Sequence, residues 1–187
     1  MAGDTEEAGR RRASAWRWAA WGTAAGLILL PLVAMQVTQE VNWGVDDFVF
    51  AVALVGGTGA TFELAVRTTA SRAYRAAVGV ALAAAFILVW GNLAVGMIGS
   101  EDNPVNLMFF GVLVVGIVGA IAARFRPRGM ARALVATALA QVLAAVIALI
   151  GGFGFAGPLT VFFAALWLAS AWLFRKAAQE QTASAAS

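Results

Sequence analysis

LMFFGVLVVGIVGAIAARFRPRGMAR, residues 107–132, decides how the chain is read. Leu107 to Ala123 is an uninterrupted apolar run, long enough to reach the roughly 17–25 residues a bilayer-crossing helix needs. Arg124, Arg126, Arg128 and Arg132 follow at once. Guanidinium groups stacked at the end of an apolar run mark a helix leaving the membrane on its cytoplasmic side. Working outward, the same pattern predicts six spans, at 19–37, 48–66, 76–99, 107–123, 133–151 and 158–174. A basic tail, 1–18, precedes them and a short tail, 175–187, follows; both are polar, Ala/Ser-rich and expected to be irregular. The predicted fold is an all-α polytopic transmembrane helical bundle.

Composition supports this class. Of 187 residues, 61% are hydrophobic and 12% charged, against about 25% charged in an ordinary soluble domain. A soluble fold of this length cannot hide so much apolar surface. Cys and His are both absent, which excludes disulfides, thiolate chemistry, Cys/His zinc sites and His- or Cys-ligated haem. No nucleophile–base pair or metal set lies near a membrane surface, so neither an enzyme nor a cofactor is expected. The pI of about 10.6 comes from arginines at helix ends, and nucleic acid is not an expected partner.

The threading follows from the 13 Lys and Arg residues. Arg10, Arg11, Arg12 and Arg17 precede the first span; Arg67, Arg72 and Arg75 lie between the second and third. The Arg124–Arg132 turn lies between the fourth and fifth, and Arg175 and Lys176 follow the sixth. The alternate loops hold Glu40, Asp46, Asp47, Glu101 and Asp102 and no base. Six spans with both termini cytoplasmic is the even threading that gives this split. Cleavage of the first span as a signal peptide is the rival; its long apolar run and the poor small-x-small match at Leu32-Val33-Ala34 speak against it. Trp16, Trp18, Trp21 and Trp43 fit interfacial anchors, and Pro31 is expected to bend the first span.

Chemistry-bearing residues inside the spans are few. Glu63 is the one ionisable side chain there, and intramembrane acids are costly and usually functional. It also stands four residues before Arg67, the spacing of a pair on one helix face. Asn92 and Gln141 are amides that each need a hydrogen-bond partner, as helix adhesives or as the lining of a polar path. Glu40, Asp46, Asp47, Glu101 and Asp102 form a candidate outer acidic cluster for a cation, although no calcium-loop spacing is present. Arg124, Arg126, Arg128 and Arg132 are candidate lipid-headgroup contacts. In Ser100–Asn106, Pro104 stops the preceding helix and Asn103 or Asn106 is placed to cap the next.

Small residues recur at Gly22/Gly26, at Gly56, Gly57, Gly59 and Ala60, and at Gly116, Gly119 and Ala123. They read as close-packing faces; an unwound, ion-holding break at Gly56–Gly59 is the functional alternative. FAVALVGGTGA (50–60) and FGVLVVGIVGA (110–120) resemble one another, as do RAAVGVALA (75–83) and RALVATALA (132–140), so a duplicated helical hairpin stands beside chance similarity.

Phe62-Glu63-Leu64, residues 74–79 (YRAAVG), 92–96 (NLAVG), 99–104 (GSEDNP) and 124–130 (RFRPRGM) resemble a group of small bacterial inner-membrane proteins of uncharacterised function. That resemblance implies a bacterial inner-membrane location and no mechanism. Two functions remain open. The first is a transporter or channel for a small cation, proton or small metabolite, working as a homo-oligomer. The second is a scaffold or accessory subunit with a membrane-protein partner. The lipid bilayer is a partner in both.

Overall fold

Six α-helices and one 3₁₀ turn, with no strand, make up residues 2–39, 42–100 and 102–186, the residues described by the computed structural model. The helices are α1 (Ala2–Val37), α2 (Val45–Thr68), α3 (Arg72–Ala94), α4 (Leu107–Ala122), α5 (Pro127–Ile150) and α6 (Gly157–Ala186). The 3₁₀ turn, Pro104–Asn106, leads into α4. All six helices are long and apolar enough to cross a membrane; the shortest such stretch, Pro104–Ala122, has 19 residues. At 1.5 Å per residue it reaches about 28 Å, close to the roughly 30 Å of a hydrocarbon core.

The chain divides into two compact units, Met1–Thr61 and Phe62–Ser187. In the first, α1 runs through Pro31 without ending. The apolar part of α1 buries none of its window, and Leu27, Leu30 and Val33 are exposed. The Trp21 ring lies against Gly59 of α2, where a Cβ would stand 3.1 Å from Trp21 Cη2.

In the second unit α6 packs on both α3 and α5, and α5 packs on α4, whereas the consecutive helices α3 and α4 barely touch. The seams close because the facing residues are small. A Cβ on Gly119 would lie 2.7 Å from Ala133 Cβ, and one on Gly116 would lie 3.2 Å from Thr137 Oγ1. Ser170 Oγ donates to Ala77 O at 2.7 Å across the α3–α6 seam, and the Tyr74 and Phe174 rings meet edge-on at 5.0 Å. Alanines such as Ala77, Ala84, Ala138 and Ala148 are buried around Phe109, Phe174 and Trp167. The large aliphatics, Ile117, Ile121, Leu139, Leu143 and Ile150 among them, point outward.

Both ends of this unit are pinned by side chains. At the arginine end, Ser71 caps α3 by accepting from Tyr74 N at 3.1 Å, and Ser71 Oγ donates to Glu180 of α6 at 3.0 Å. Tyr74 Oη donates to Phe125 O at 2.8 Å, holding the α4–α5 turn. At the opposite, asparagine end, the α3–α4 and α5–α6 connections meet where Ile98 lies against Gly154.

Two expectations are corrected. The third helix, expected to run to Gly99, ends at Ala94, because Gly96 (φ +75°) and Gly99 (φ +70°) turn the chain into the left-handed region. A Cβ at Gly96 would sit 2.5 Å from Ser100 O, so only glycine fits there. The tails are helical, not irregular: α1 starts at Ala2 and α6 continues to Ala186. For α6 the cause is packing, since Ala177 and Ala178 are buried and Thr182 accepts from Arg128 Nη2 at 3.2 Å.

Candidate functional site

The polar residues inside the α3–α6 unit fall into two groups. The first closes the asparagine end. Asn106 turns its side chain back toward the end of α3. Its Oδ1 accepts from Met97 N (3.1 Å) and Ile98 N (2.9 Å), and its Nδ2 donates to Ser100 O (2.7 Å). It thus does for the α3–α4 connection what a further turn of helix would have done, and it makes no side-chain cap on α4. Asn103 is the residue that caps, accepting from Val105 N at 3.1 Å at the head of the 3₁₀ turn, while its Nδ2 donates to Ile98 O at 3.2 Å.

Asn92 sits under this turn, 3% exposed. Its Nδ2 donates to Asn106 O at 3.1 Å, but its Oδ1 has no hydrogen-bond partner. A cavity of about 230 Å³ opens beside it, lined by Asn92, Asp102, Asn103 and Asn106 and by the apolar Leu107 and Phe110. An unused buried acceptor and a carboxylate on one small cavity suit a small hydrogen-bond donor or cation.

The second group lies on α5 and α6. Gln141 is 0% exposed, and neither its Oε1 nor its Nε2 has a partner. Trp167 (3% exposed) and Thr160 (7% exposed) leave Nε1 and Oγ1 unpartnered. Depths follow from helix rise. Gln141 stands nine residues before the end of α5, about 13 Å, and Trp167 ten residues after the start of α6, about 15 Å. Since those helix ends are joined by one short turn, the two side chains share a level. Thr160 is about 4.5 Å into α6, near the level of Asn92, two residues before the end of α3. Deeper still, Thr137 and Ser170 donate to the backbone carbonyls of Ala133 and Ala77.

Glu63 is not part of either group. Its Oε1 accepts from Arg67 Nη2 at 2.6 Å and from Arg67 Nε at 3.2 Å, with the pair 21% and 63% exposed. An i,i+4 pair of this kind contributes about 0.3–0.5 kcal/mol. It lies within two turns of Thr68, the end of α2.

Of the acidic loop residues, Glu40 and Glu101 lie outside the described residues. Asp46 and Asp47 occupy the first turn of α2, favoured there by the helix dipole, and Asp47 Oδ2 accepts from Gly44 N at 2.8 Å. Asp102 faces the Asn92 cavity. Among the described residues no three acidic side chains gather to hold a metal ion.

At the arginine end, Arg126, Arg128 and Arg132 line a cleft of about 650 Å³ against the last turns of α6; Arg124 is exposed on the same turn but lies outside the cleft lining.

Sequence reasoning singled out Asn92 and Gln141 but missed Thr160, Trp167 and the inward role of Asn106. A signal for the first two was present: Thr160, Trp167 and Ser170 recur at helical spacing on one face. No protein-family model, curated protein or solved structure matches this chain.

Proposed function

We propose that the chain is a six-span membrane protein, both termini cytoplasmic, that moves a small hydrogen-bonding solute through the α3–α6 interior. A small cation, a proton or a small polar metabolite fits that description. One observation carries this. Among the described residues, five buried polar atoms have no partner: Asn92 Oδ1, Gln141 Oε1 and Nε2, Thr160 Oγ1 and Trp167 Nε1. Each costs about 1–3 kcal/mol if left so, roughly 5–15 kcal/mol in all, which rivals the whole stability of a domain. An interior that keeps such groups uses them on something that visits. They occupy two levels, one beside the Asn92 cavity and one in mid-bundle, as stepping sites would.

The membrane placement is supported by the outward-facing aliphatics and inward-facing small residues, the reverse of a soluble fold. The orientation rests on arginine sorting, and the bacterial inner membrane on the resemblance of the Glu63, Asn92, Glu101–Pro104 and Arg124–Met130 blocks. A second function, scaffolding by helix association, is favoured by one feature. Gly22 and Gly26 of α1 and Gly56 and Gly57 of α2 face open space, with nothing within 4 Å of a Cβ there.

Reconstitution in liposomes separates the two. Proton and monovalent-cation flux is measured for the wild type, Gln141→Leu and Glu63→Gln. The expected result is flux in the wild type, at least a tenfold loss in Gln141→Leu, and little change in Glu63→Gln, whose carboxylate is already engaged by Arg67. Flux that survives Gln141→Leu overturns the interior path. A silent wild type that crosslinks to itself or to another membrane protein supports the scaffold. Single cysteines at Asp46, Arg72 and Asp102 test the orientation: an impermeant thiol reagent labels positions 46 and 102 from outside and leaves 72 untouched.

A further inference from the structure

The cleft at the arginine end is walled by Arg126, Arg128 and Arg132 on one side and by Gln181 and Thr182 of α6 on the other. We propose that it is a binding site for a phosphate group, carried by a lipid headgroup or by a small soluble phosphate. It stands at the opposite end of the bundle from the Asn92 cavity and does not depend on solute passage.

Three guanidinium groups of like charge share this space. Arg128 is held by Thr182, and among the described residues the side chains of Arg126 and Arg132 make no hydrogen bond or ion pair. Glu180 of α6 is outside the cleft lining and accepts from Ser71. A cluster of cations with no internal counter-charge is relieved by an anion, and the planar fork of Arg matches phosphate oxygens in pairs. The α5 start reinforces this. Its first turn has no acidic residue and its N-cap, Arg126, makes no side-chain cap, so the helix end keeps its attraction for an anion.

The turn that carries the arginines is tied by its own backbone and by α3. The end of α4 closes as a Schellman turn, with Phe125 N bonded to Ala120 O (3.2 Å) and Arg124 N to Ile121 O (2.9 Å). Arg124 and Phe125 both take positive φ, 49° and 56°, a conformation costly for residues with a Cβ. Tyr74 fixes Phe125 O, and Gly129 approaches Ala123 so closely that a Cβ would lie 2.6 Å from its methyl. The charge cluster thus sits on a tied turn bridged to α6 by Arg128.

The test is calorimetric titration of the detergent-solubilised full chain with dioctanoyl phosphatidic acid and, separately, with inorganic phosphate. Arg126→Gln/Arg132→Gln removes the free cleft cations. Arg124→Gln/Arg175→Gln removes the same charge from exposed positions outside the cleft lining. Each surface arginine is worth about fivefold in anion affinity, so the cleft variant is expected to bind roughly 25-fold more weakly. The outside variant changes less than threefold. Saturable binding of the lipid alone identifies a headgroup site; saturable binding of inorganic phosphate as well, or of it alone, identifies a soluble phosphate site. Saturable binding of neither, or equal losses in the two variants, overturns the proposal. Should the double variant fail to fold, Arg132→Lys, which keeps charge but loses the fork, must still weaken binding severalfold.

Discussion

Replacing Asn106 by alanine tests whether one side chain closes the α3–α4 connection. The substitution removes an acceptor from two backbone amides, Met97 N and Ile98 N, and a donor from Ser100 O. Ser100 O keeps a second partner, Asn103 N at 3.1 Å, so its loss is small. The two amides have no substitute. Met97 and Ile98 are 6% and 2% exposed, so bulk water does not reach them. Each orphaned buried donor costs about 1–3 kcal/mol, giving roughly 2–6 kcal/mol for the pair. The adjoining cavity is large enough to admit water, which draws the expected value toward the lower end, about 2–3 kcal/mol. Asn103→Ala is the comparison. It loses one acceptor for Val105 N and one donor to Ile98 O in a partly exposed setting, worth about 1 kcal/mol. The assays are denaturant unfolding in detergent and hydrogen exchange at residues 97 and 98. A local cost of 2 kcal/mol accelerates exchange there about 30-fold. If Asn106→Ala unfolds within 0.5 kcal/mol of the wild type and both amides stay protected, the side chain is not what closes the α3–α4 connection.

Other consequences follow from the packing. Gly119→Leu drives a side chain into Ala133, already 2.7 Å from a Cβ, and is expected to cost about 1–3 kcal/mol or more and to separate α4 from α5, seen as loss of a crosslink between cysteines placed along that seam. Arg124→Gly relieves a left-handed non-glycine position and is expected to raise stability by a few tenths to about 1 kcal/mol, measured by thermal melting; a clear loss would show that the arginine side chain compensates the strain. Ser170→Ala leaves Ala77 O in its helical bond and removes one interhelical bond, about 0.6 kcal/mol on the scale of membrane bundles, again read from unfolding.

Helix number was legible because apolar run length is a local property, written into consecutive residues. The Glu63–Arg67 pair was legible for the same reason, being four residues apart on one helix. What was illegible depends on partners distant in sequence. The left-handed turn at Gly96 and Gly99 that ends α3 is closed by Asn106, beyond an intervening segment, so the glycines alone did not reveal where the helix stops. The order of packing was also hidden: α3 lies on α6, not on its neighbour α4, and α6 stays helical to Ala186 because Arg128 and Ser71 hold it. That tail is rich in Ala and Gln, good helix formers, a signal outweighed in the reading by its polarity. Gly59 and Gly119 occupy matching places in the two similar segments, yet one meets Trp21 and the other Ala133. Similar segments here do not make similar seams.

The polar interior and the tight seams pull in opposite directions, and that opposition bears on function. Elsewhere in the second unit Gly119 meets Ala133, Ser170 and Thr137 bond carbonyls, and the α3–α4 and α4–α5 connections are tied by Asn106 and Tyr74. Among the described residues, Asn92, Gln141, Thr160 and Trp167 alone keep buried polar atoms idle. Helix adhesion requires such groups to bond one another, and Ser170 and Tyr74 do so across their seams. Gln141 stands near the level of Trp167, and neither its Oε1 nor its Nε2 has a partner there, the observation on which the transport reading rests. A scaffold would gain stability by replacing Gln141 with leucine and lose no activity. A carrier would gain the same stability and fall silent. Stability and flux measured on that one variant therefore read out whether the interior exists to hold the helices or to serve what passes between them.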